Sequence, residues 1–127
     1  MQRLLFFLLM FGVAAAGNAA SLSPAARAEI DALLSGLEAS GCELNRNGTW
    51  YPASEARPHL LRKLKYLENK GLVQSTEQFI ELAASSSSTT GKPYLVKCGS
   101  GTPVQSGPWL RSQLQMVRSS GRAKSPP

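Results

Sequence analysis

The residues of this sequence that could do chemistry are one histidine and a run of hydroxyl side chains. The histidine is His59, and the hydroxyls lie in ASSSSTTGKPY, residues 84–94. A serine nucleophile needs a general base within hydrogen-bond reach and an acid that orients the base. His59, a serine from 85–88 and a carboxylate from Glu55 or Glu77 would supply those groups. These residues are far apart along the chain, and the sequence does not place them near one another. A hydrolase is therefore an alternative interpretation and not the first one.

Other motifs for catalysis or metal binding are not matched. A P-loop has an earlier glycine and continues from Lys into a helix, whereas Pro93 follows Gly91-Lys92 here. A nucleophile elbow needs Gly-x-Ser-x-Gly, which the serine run lacks. Two distant cysteines and one histidine do not have the spacing of zinc ligands. We therefore predict no catalytic residue, no metal site and no cofactor.

The serine-rich segment is interpreted as an ordered surface loop and not as a linker, because too few residues follow it for a second domain. Within it, Gly91 permits an unusual backbone angle, Lys92 projects a charge and Tyr94 presents an amphipathic ring. Loops on rigid scaffolds commonly carry binding residues. The predicted binding residues are Arg46, Asn47, His59, Ser87, Ser88, Lys92 and Tyr94.

Residues 1–19 have the pattern of a signal peptide. Arg3 precedes an apolar stretch from Leu4 to Ala16, and Gly17-Asn18-Ala19 places small residues where a signal peptidase reads them. The stretch of 13 residues is shorter than the roughly 20 that span a bilayer. We expect cleavage after Ala19, with Ala16 or Ala20 as alternative sites, and a periplasmic or secreted protein that does not span a membrane after cleavage.

The charge of the chain limits its partners. The formal net charge is +6, and cleavage after Ala19 removes Arg3 and leaves +5. The basic residues are spread along the chain and are not interleaved with aromatic residues, so we expect no nucleic-acid partner. A mild attraction to anionic polymers of the cell envelope follows from the charge. The partner is unknown; an envelope protein or polymer is the class we expect.

The two cysteines, Cys42 and Cys98, are predicted to form a disulfide. An exported protein enters an oxidising compartment, where such pairs form and persist. The bond would close a loop of about 57 residues, for which the chain-entropy relation gives roughly 4 kcal/mol of stabilisation.

Helices at both ends of the domain are predicted from capping residues and apolar spacing. Ser23 can cap a first helix that has Pro24 at its first position and ends at Ser40-Gly41. A last helix begins near Ser106, with Pro108 in its first turn. The first helix has one apolar stripe at helical spacing, formed by Ile30, Leu33, Leu34 and Leu37.

Two further helices are predicted in the middle of the chain. The second runs from about Ser54, as its cap, to Lys70, with Pro58 in the first turn. The third begins at a capping box of Ser75 and Gln78 and frays near residue 85. Its apolar residues are Phe79, Ile80, Leu82 and Ala83.

Strands are predicted near 43–51 and 94–98. Asn47-Gly48 favours a two-residue hairpin turn in the first of these segments, and residues 99–107 are expected to be loop. The prediction is an α+β domain of about four helices with a small antiparallel sheet and one disulfide. It comprises residues 20–120, after a signal peptide of 1–19 and before a disordered tail of 121–127.

Four segments resemble the YfeK-like family of small exported bacterial proteins, a domain of unknown function. They are CELNRNG (42–48), ARPHLLRKL (56–64), STEQFIELAASSSSTTGKPYLVKC (75–98) and WLRSQL (109–114). The resemblance spans roughly residues 24–118. It implies a bacterial, periplasmic protein, and it supplies no reaction and no catalytic residues.

The first functional interpretation is a non-enzymatic binding or accessory protein of the cell envelope. One alternative is the small hydrolase using His59 and a serine. Another is an inhibitor of an envelope hydrolase such as lysozyme, because residues 90–94 are similar to the Ser-Gly-x-x-Tyr loop of periplasmic lysozyme inhibitors. Those inhibitors are β-barrels, and lysozymes are mostly basic, so a partner of charge +5 would be repelled.

Overall fold

The computed structural model describes residues 21–123, with side chains through Gly121. The predicted signal peptide of 1–19 lies outside these residues, as do residues 124–127 of the predicted tail. The last helix extends to Ala123, so residues 121–123, which were predicted to belong to a disordered tail, are helical.

The described chain is an α+β domain of four helices and a four-stranded antiparallel sheet, as predicted. Its elements, in chain order, are α1 (Pro24–Ala39), β1 (Cys42–Arg46), β2 (Thr49–Pro52), α2 (Ala53–Asn69), α3 (Thr76–Ala83), β3 (Leu95–Cys98), β4 (Val104–Gln105) and α4 (Ser106–Ala123). No helix among the described residues is both long enough and apolar enough to cross a membrane.

The sheet has the strand order β2-β1-β3-β4. Its centre is the β1–β3 pair, in which Leu44 lies opposite Val96. Both side chains are almost fully buried, whereas Glu43 beside Leu44 is exposed. Because side chains alternate along a strand, one face of the sheet packs on the helices and the other faces outward.

The fourth strand corrects the prediction that residues 99–107 are loop. Val104 pairs with Val96, and Gln105 pairs with Leu95. A strand of two residues is too short to show an alternating pattern, and Val104 is 46% exposed. The sequence therefore contained no apolar signal for it.

The core lies between the helices and the inner face of the sheet. Every helix contributes buried apolar residues, among them the predicted stripe of α1 and, from α3, Phe79 and Ile80. Leu82, which was also predicted to pack, is 44% exposed. The buried residues of α3 are Thr76, Phe79, Ile80 and Ala83, and Leu82 lies about 100° around the helix from Ala83, outside that stripe. The largest buried side chains include Leu33, Leu34, Leu37, Leu44, Leu60, Phe79, Ile80 and Leu110.

The helix caps are predicted correctly at α1 and α3 but not at α2. Ser23 Oγ accepts from Ala26 N at 3.1 Å, and Ser75 Oγ accepts from Gln78 N at 3.1 Å. The capping residue of α2 is Pro52, with no side-chain cap, so Ser54 is inside the helix. Because α2 begins two residues earlier than a cap at Ser54 would place it, Pro58 lies in its second turn.

The predicted disulfide is present. Cys42 and Cys98 lie directly opposite each other on β1 and β3, with 4.1 Å between their Cα atoms. The bond therefore fixes the register of the two central strands at the end away from the serine-rich loop.

Candidate functional site

The serine-rich segment folds back on itself between α3 and β3. Ser87 N donates to Lys92 O at 2.9 Å, Tyr94 N donates to Ser85 O at 3.0 Å, and Ser86 pairs with Pro93 as a single β-bridge. Ser85 Oγ donates to Ile80 O at 2.6 Å, so a hydroxyl satisfies a carbonyl at the end of α3. These bonds make the segment a defined loop of the fold.

Ser87 joins this loop to the β1–β2 hairpin. Its side chain is buried, and its Oγ accepts from the backbone N–H groups of Thr89 and Thr90, each at 3.3 Å. Asn47 Nδ2 donates to the same oxygen at 3.2 Å, while Thr90 Oγ1 donates to Asn47 Oδ1 at 2.7 Å. Asn47 has a φ of 53°, a turn conformation that asparagine tolerates well. The hairpin turn and the loop therefore hold each other in place.

Four charged or polar side chains converge beside this junction, from three elements. Arg46 ends β1 on the same face as Leu44, and Tyr94 precedes β3 on the face of Val96. His59 and Lys63 lie four residues apart on α2, which places them on one side of that helix.

Tyr94 is the centre of the cluster. Its ring is buried at 2% exposure, and Lys63 Nζ donates to its hydroxyl at 3.0 Å. His59 Nε2 lies 3.4 Å from the same oxygen. Lys63 Nζ also donates to Ser86 O at 2.9 Å. The expectation that the Tyr94 ring is presented on the surface is wrong, because only the hydroxyl end reaches the cluster.

A cavity of about 320 Å³ opens over these groups. We call it the Lys63 pocket; its lining residues are Arg46, Asn47, His59, Lys63, Ser87, Ser88, Thr89 and Tyr94. Six of the seven predicted binding residues are among them. Lys92 is not; it is exposed, and its backbone N–H donates to Thr90 Oγ1 at 3.2 Å.

Sequence reasoning missed Lys63 and Thr89. Lys63 lies four residues after His59, a spacing that puts the two side chains on one face of a helix. That spacing could have predicted Lys63 as a pocket residue. No sequence pattern predicted Thr89, because its place in the pocket follows from the turn of the loop.

The pKa values of the site are shifted first by burial and then by its positive charges. Burial, and then the charges of Arg46, Lys63 and Arg62, lower the pKa of His59 to about 4. Burial and the charge of Arg46 lower the pKa of Lys63 from 10.5 to about 8. Burial also raises the pKa of Tyr94, with Arg46 opposing that shift. At pH 7, therefore, His59 and Tyr94 are neutral and Lys63 is mostly charged.

No carboxylate in residues 21–123 forms an ion pair with Arg46, Arg62 or Lys63. Arg57 pairs with Asp31 and Glu38, and the other described pairs likewise lie away from the pocket. A partly buried cation is normally paired. The Lys63 pocket thus has positive charge and no acidic side chain to balance it.

The predicted hydrolase contacts are not formed in this part of the chain. Among residues 21–123, neither a serine hydroxyl nor a carboxylate hydrogen-bonds to His59, whose partner is the Tyr94 hydroxyl. Ser88 lines the pocket with His59 but is exposed, and Glu77 pairs with Arg118. The geometry is that of a polar binding pocket with unbalanced cations.

The comparisons with known proteins show a family and supply no activity. The "Uncharacterized protein YfeK" of Salmonella typhimurium (strain LT2) is 43% identical over 68 residues. The match covers 53% of this chain and 55% of the relative, so it spans about half of the relative's length. No solved structure matches the chain. Residues 24–118 match the family described as "Family of unknown function (DUF5329)", and the chain belongs to that family.

Proposed function

We propose that this protein is a non-enzymatic binding protein of the bacterial cell envelope, and that the Lys63 pocket binds an anionic group of its ligand. The observation that carries the proposal is the unbalanced charge: Arg46, Arg62 and Lys63 act on the pocket without a carboxylate partner in residues 21–123.

The donors suit a phosphate or a carboxylate. Lys63 supplies an ammonium, Arg46 a guanidinium with a planar set of N–H donors, and Ser88 and Thr89 supply hydroxyls. Bonds between charged groups are shorter and stronger than neutral ones, and a concave site excludes part of the water that would weaken them. An anion would also offset the repulsion from neighbouring cations, which adds to burial in lowering the pKa values of His59 and Lys63.

The envelope location rests on the signal-peptide pattern of residues 1–19 and on the disulfide, which persists in an oxidising compartment. Cell fractionation followed by N-terminal sequencing tests it. We expect periplasmic or secreted protein that begins at Ala20. Protein that remains in the cytoplasm with residues 1–19 attached would contradict the location.

The anion site is tested by titrating the oxidised protein with inorganic phosphate, and separately with acetate, in a low-salt buffer at pH 7. Isothermal calorimetry or amide chemical shifts report binding. We expect saturable binding of at least one of the two anions. Lys63→Met should weaken it by about tenfold or more, because a hydrogen bond to a charged group is worth roughly 1.5–3 kcal/mol.

Lys65→Met is the matched control. It removes the same charge from the same helix, two residues away, where the side chain is exposed and does not line the pocket. We expect its affinity to stay within about twofold of the wild type, since exposed charges are strongly screened. Equal loss in both variants would mean that net charge, and not the pocket, attracts the anion.

A further inference from the structure

A second cavity lies beside the Lys63 pocket along α2. It has a volume of about 500 Å³, and we call it the Tyr66 groove. A volume of this size is within the range of small-ligand sites. Its lining residues are His59, Arg62, Lys63, Tyr66, Leu67 and Ser88. His59, Lys63 and Ser88 line both cavities, so the two lie side by side and share these side chains.

The walls of the Tyr66 groove differ from those of the Lys63 pocket. They are mainly carbon, from Leu67, the Tyr66 ring and the alkyl stems of Arg62 and Lys63. Tyr66 is 60% exposed, so its ring is accessible to a ligand in the groove. Lys70 Nζ lies 4.9 Å from the centre of the Tyr66 ring and orients that ring.

An apolar groove that ends at an unbalanced cation is complementary to an amphiphilic anion. We propose that the protein binds a small organic phosphate or carboxylate whose anionic group occupies the Lys63 pocket and whose apolar body lies in the Tyr66 groove. This rests on the proposed anion site and adds the class of ligand to it. The shared residues His59, Lys63 and Ser88 would surround the junction between the two halves of the ligand.

The two halves of such a ligand contribute to its affinity through different interactions. The anionic group gains charged hydrogen bonds, which a neutral ligand of the same shape would lose. The apolar body gains about 0.8 kcal/mol per buried CH₂ group, so two buried CH₂ groups are enough for roughly a tenfold gain in affinity. A simple inorganic anion therefore occupies only half of the site.

The experiment compares three probes with the full oxidised chain: methyl phosphate, hexyl phosphate and 1-hexanol. The two phosphates share the anionic group, and hexyl phosphate and 1-hexanol share the apolar chain. We expect hexyl phosphate to bind about tenfold tighter than methyl phosphate, and 1-hexanol to bind far more weakly than hexyl phosphate. Tyr66→Ala should weaken hexyl phosphate about fivefold and leave methyl phosphate unchanged.

Each outcome decides a different part of the proposal. Equal affinity for the two phosphates would overturn the apolar half and leave the anion site standing. Equal binding of 1-hexanol and hexyl phosphate would overturn the anion site itself. If neither phosphate binds, acetate and hexanoate replace them in the comparison, and no binding of these two carboxylates would also overturn the anion site. A tenfold preference for hexyl phosphate that survives Tyr66→Ala would overturn the groove as the place of the apolar body. Tyr66 is largely exposed, so the variant is expected to fold.

Discussion

Replacing Lys63 should change how the stability of the protein depends on pH. In the folded protein, burial and Arg46 lower the pKa of Lys63 from 10.5 to about 8. Between these two values the unfolded chain binds more protons at this residue than the folded chain. The free energy of unfolding therefore rises with pH in that window. Lys63→Met removes the titrating group and keeps a side chain of similar length.

The magnitude follows from the pKa values. A tenfold change in proton affinity corresponds to about 1.4 kcal/mol, so the full shift would amount to roughly 3 kcal/mol. Lys63 is only half-buried, and water screens its charge, so we expect about 1–1.5 kcal/mol. At pH 7 the variant loses two hydrogen bonds, to Ser86 O and Tyr94 Oη, but also an unbalanced charge. Those effects oppose each other, and the net change there should be about 1 kcal/mol or less.

Urea denaturation of the wild type and of Lys63→Met at pH 7, 8, 9 and 10 measures how their unfolding free energies depend on pH. The unfolding free energy of the wild type minus that of Lys63→Met should grow by about 1–1.5 kcal/mol from pH 8 to pH 10. Lys65→Met, which changes an exposed lysine of the same helix, should show no such growth. A constant difference across the series would show that Lys63 titrates as an ordinary lysine, and the electrostatic argument would be wrong.

Three further predictions concern the elements that hold the site. Ser87→Ala should lower the free energy of unfolding by about 1–3 kcal/mol, because three donors lose the buried oxygen they share; a change below about 0.5 kcal/mol in urea would contradict this. Breaking the disulfide with Cys42→Ala and Cys98→Ala together should lower it by about 2–4 kcal/mol, and an unchanged urea midpoint would refute the stabilising role. Because the pKa of His59 falls to about 4 on folding, the wild type should lose stability relative to His59→Gln as pH falls from about 6.5 to 4, by about 1 kcal/mol after screening. An unfolding free energy that depends on pH in the same way in both proteins between pH 6.5 and 4 would contradict this prediction.

The fold was largely predictable because its elements have local signals. Ser23 and Ser75 cap their helices through bonds within four residues, and Asn47-Gly48 forms the hairpin turn that both residue types permit. The two-residue strand β4 had no such signal, since only its pairing with β3 defines it. The cap of α2 was misplaced by two residues, at Ser54 instead of Pro52, because a suitable side chain stood close to the true start.

The candidate site was predictable in composition but not in arrangement. The loop and hairpin residues were recognised because turns and hydroxyl runs commonly surround ligands. The position of Lys63 Nζ between Ser86 and Tyr94 depends on how α2 crosses the sheet, which no local pattern records. The burial of Tyr94 is likewise a tertiary effect, set by the inner face of β3 against the helices. That no carboxylate pairs with the cations of the Lys63 pocket follows only from the ion pairs of the whole described domain.

The most direct test of the anion site is the pKa of His59, measured by proton NMR with and without phosphate. The chain has one histidine, so its ring resonances are assigned without ambiguity. We expect a pKa near 4 in the free protein, and with saturating phosphate a pKa higher by about one, because the anion offsets the charges of Arg46, Lys63 and Arg62. A pKa near 6.5 that phosphate does not move would mean that the pocket lacks the positive potential on which the proposed function depends.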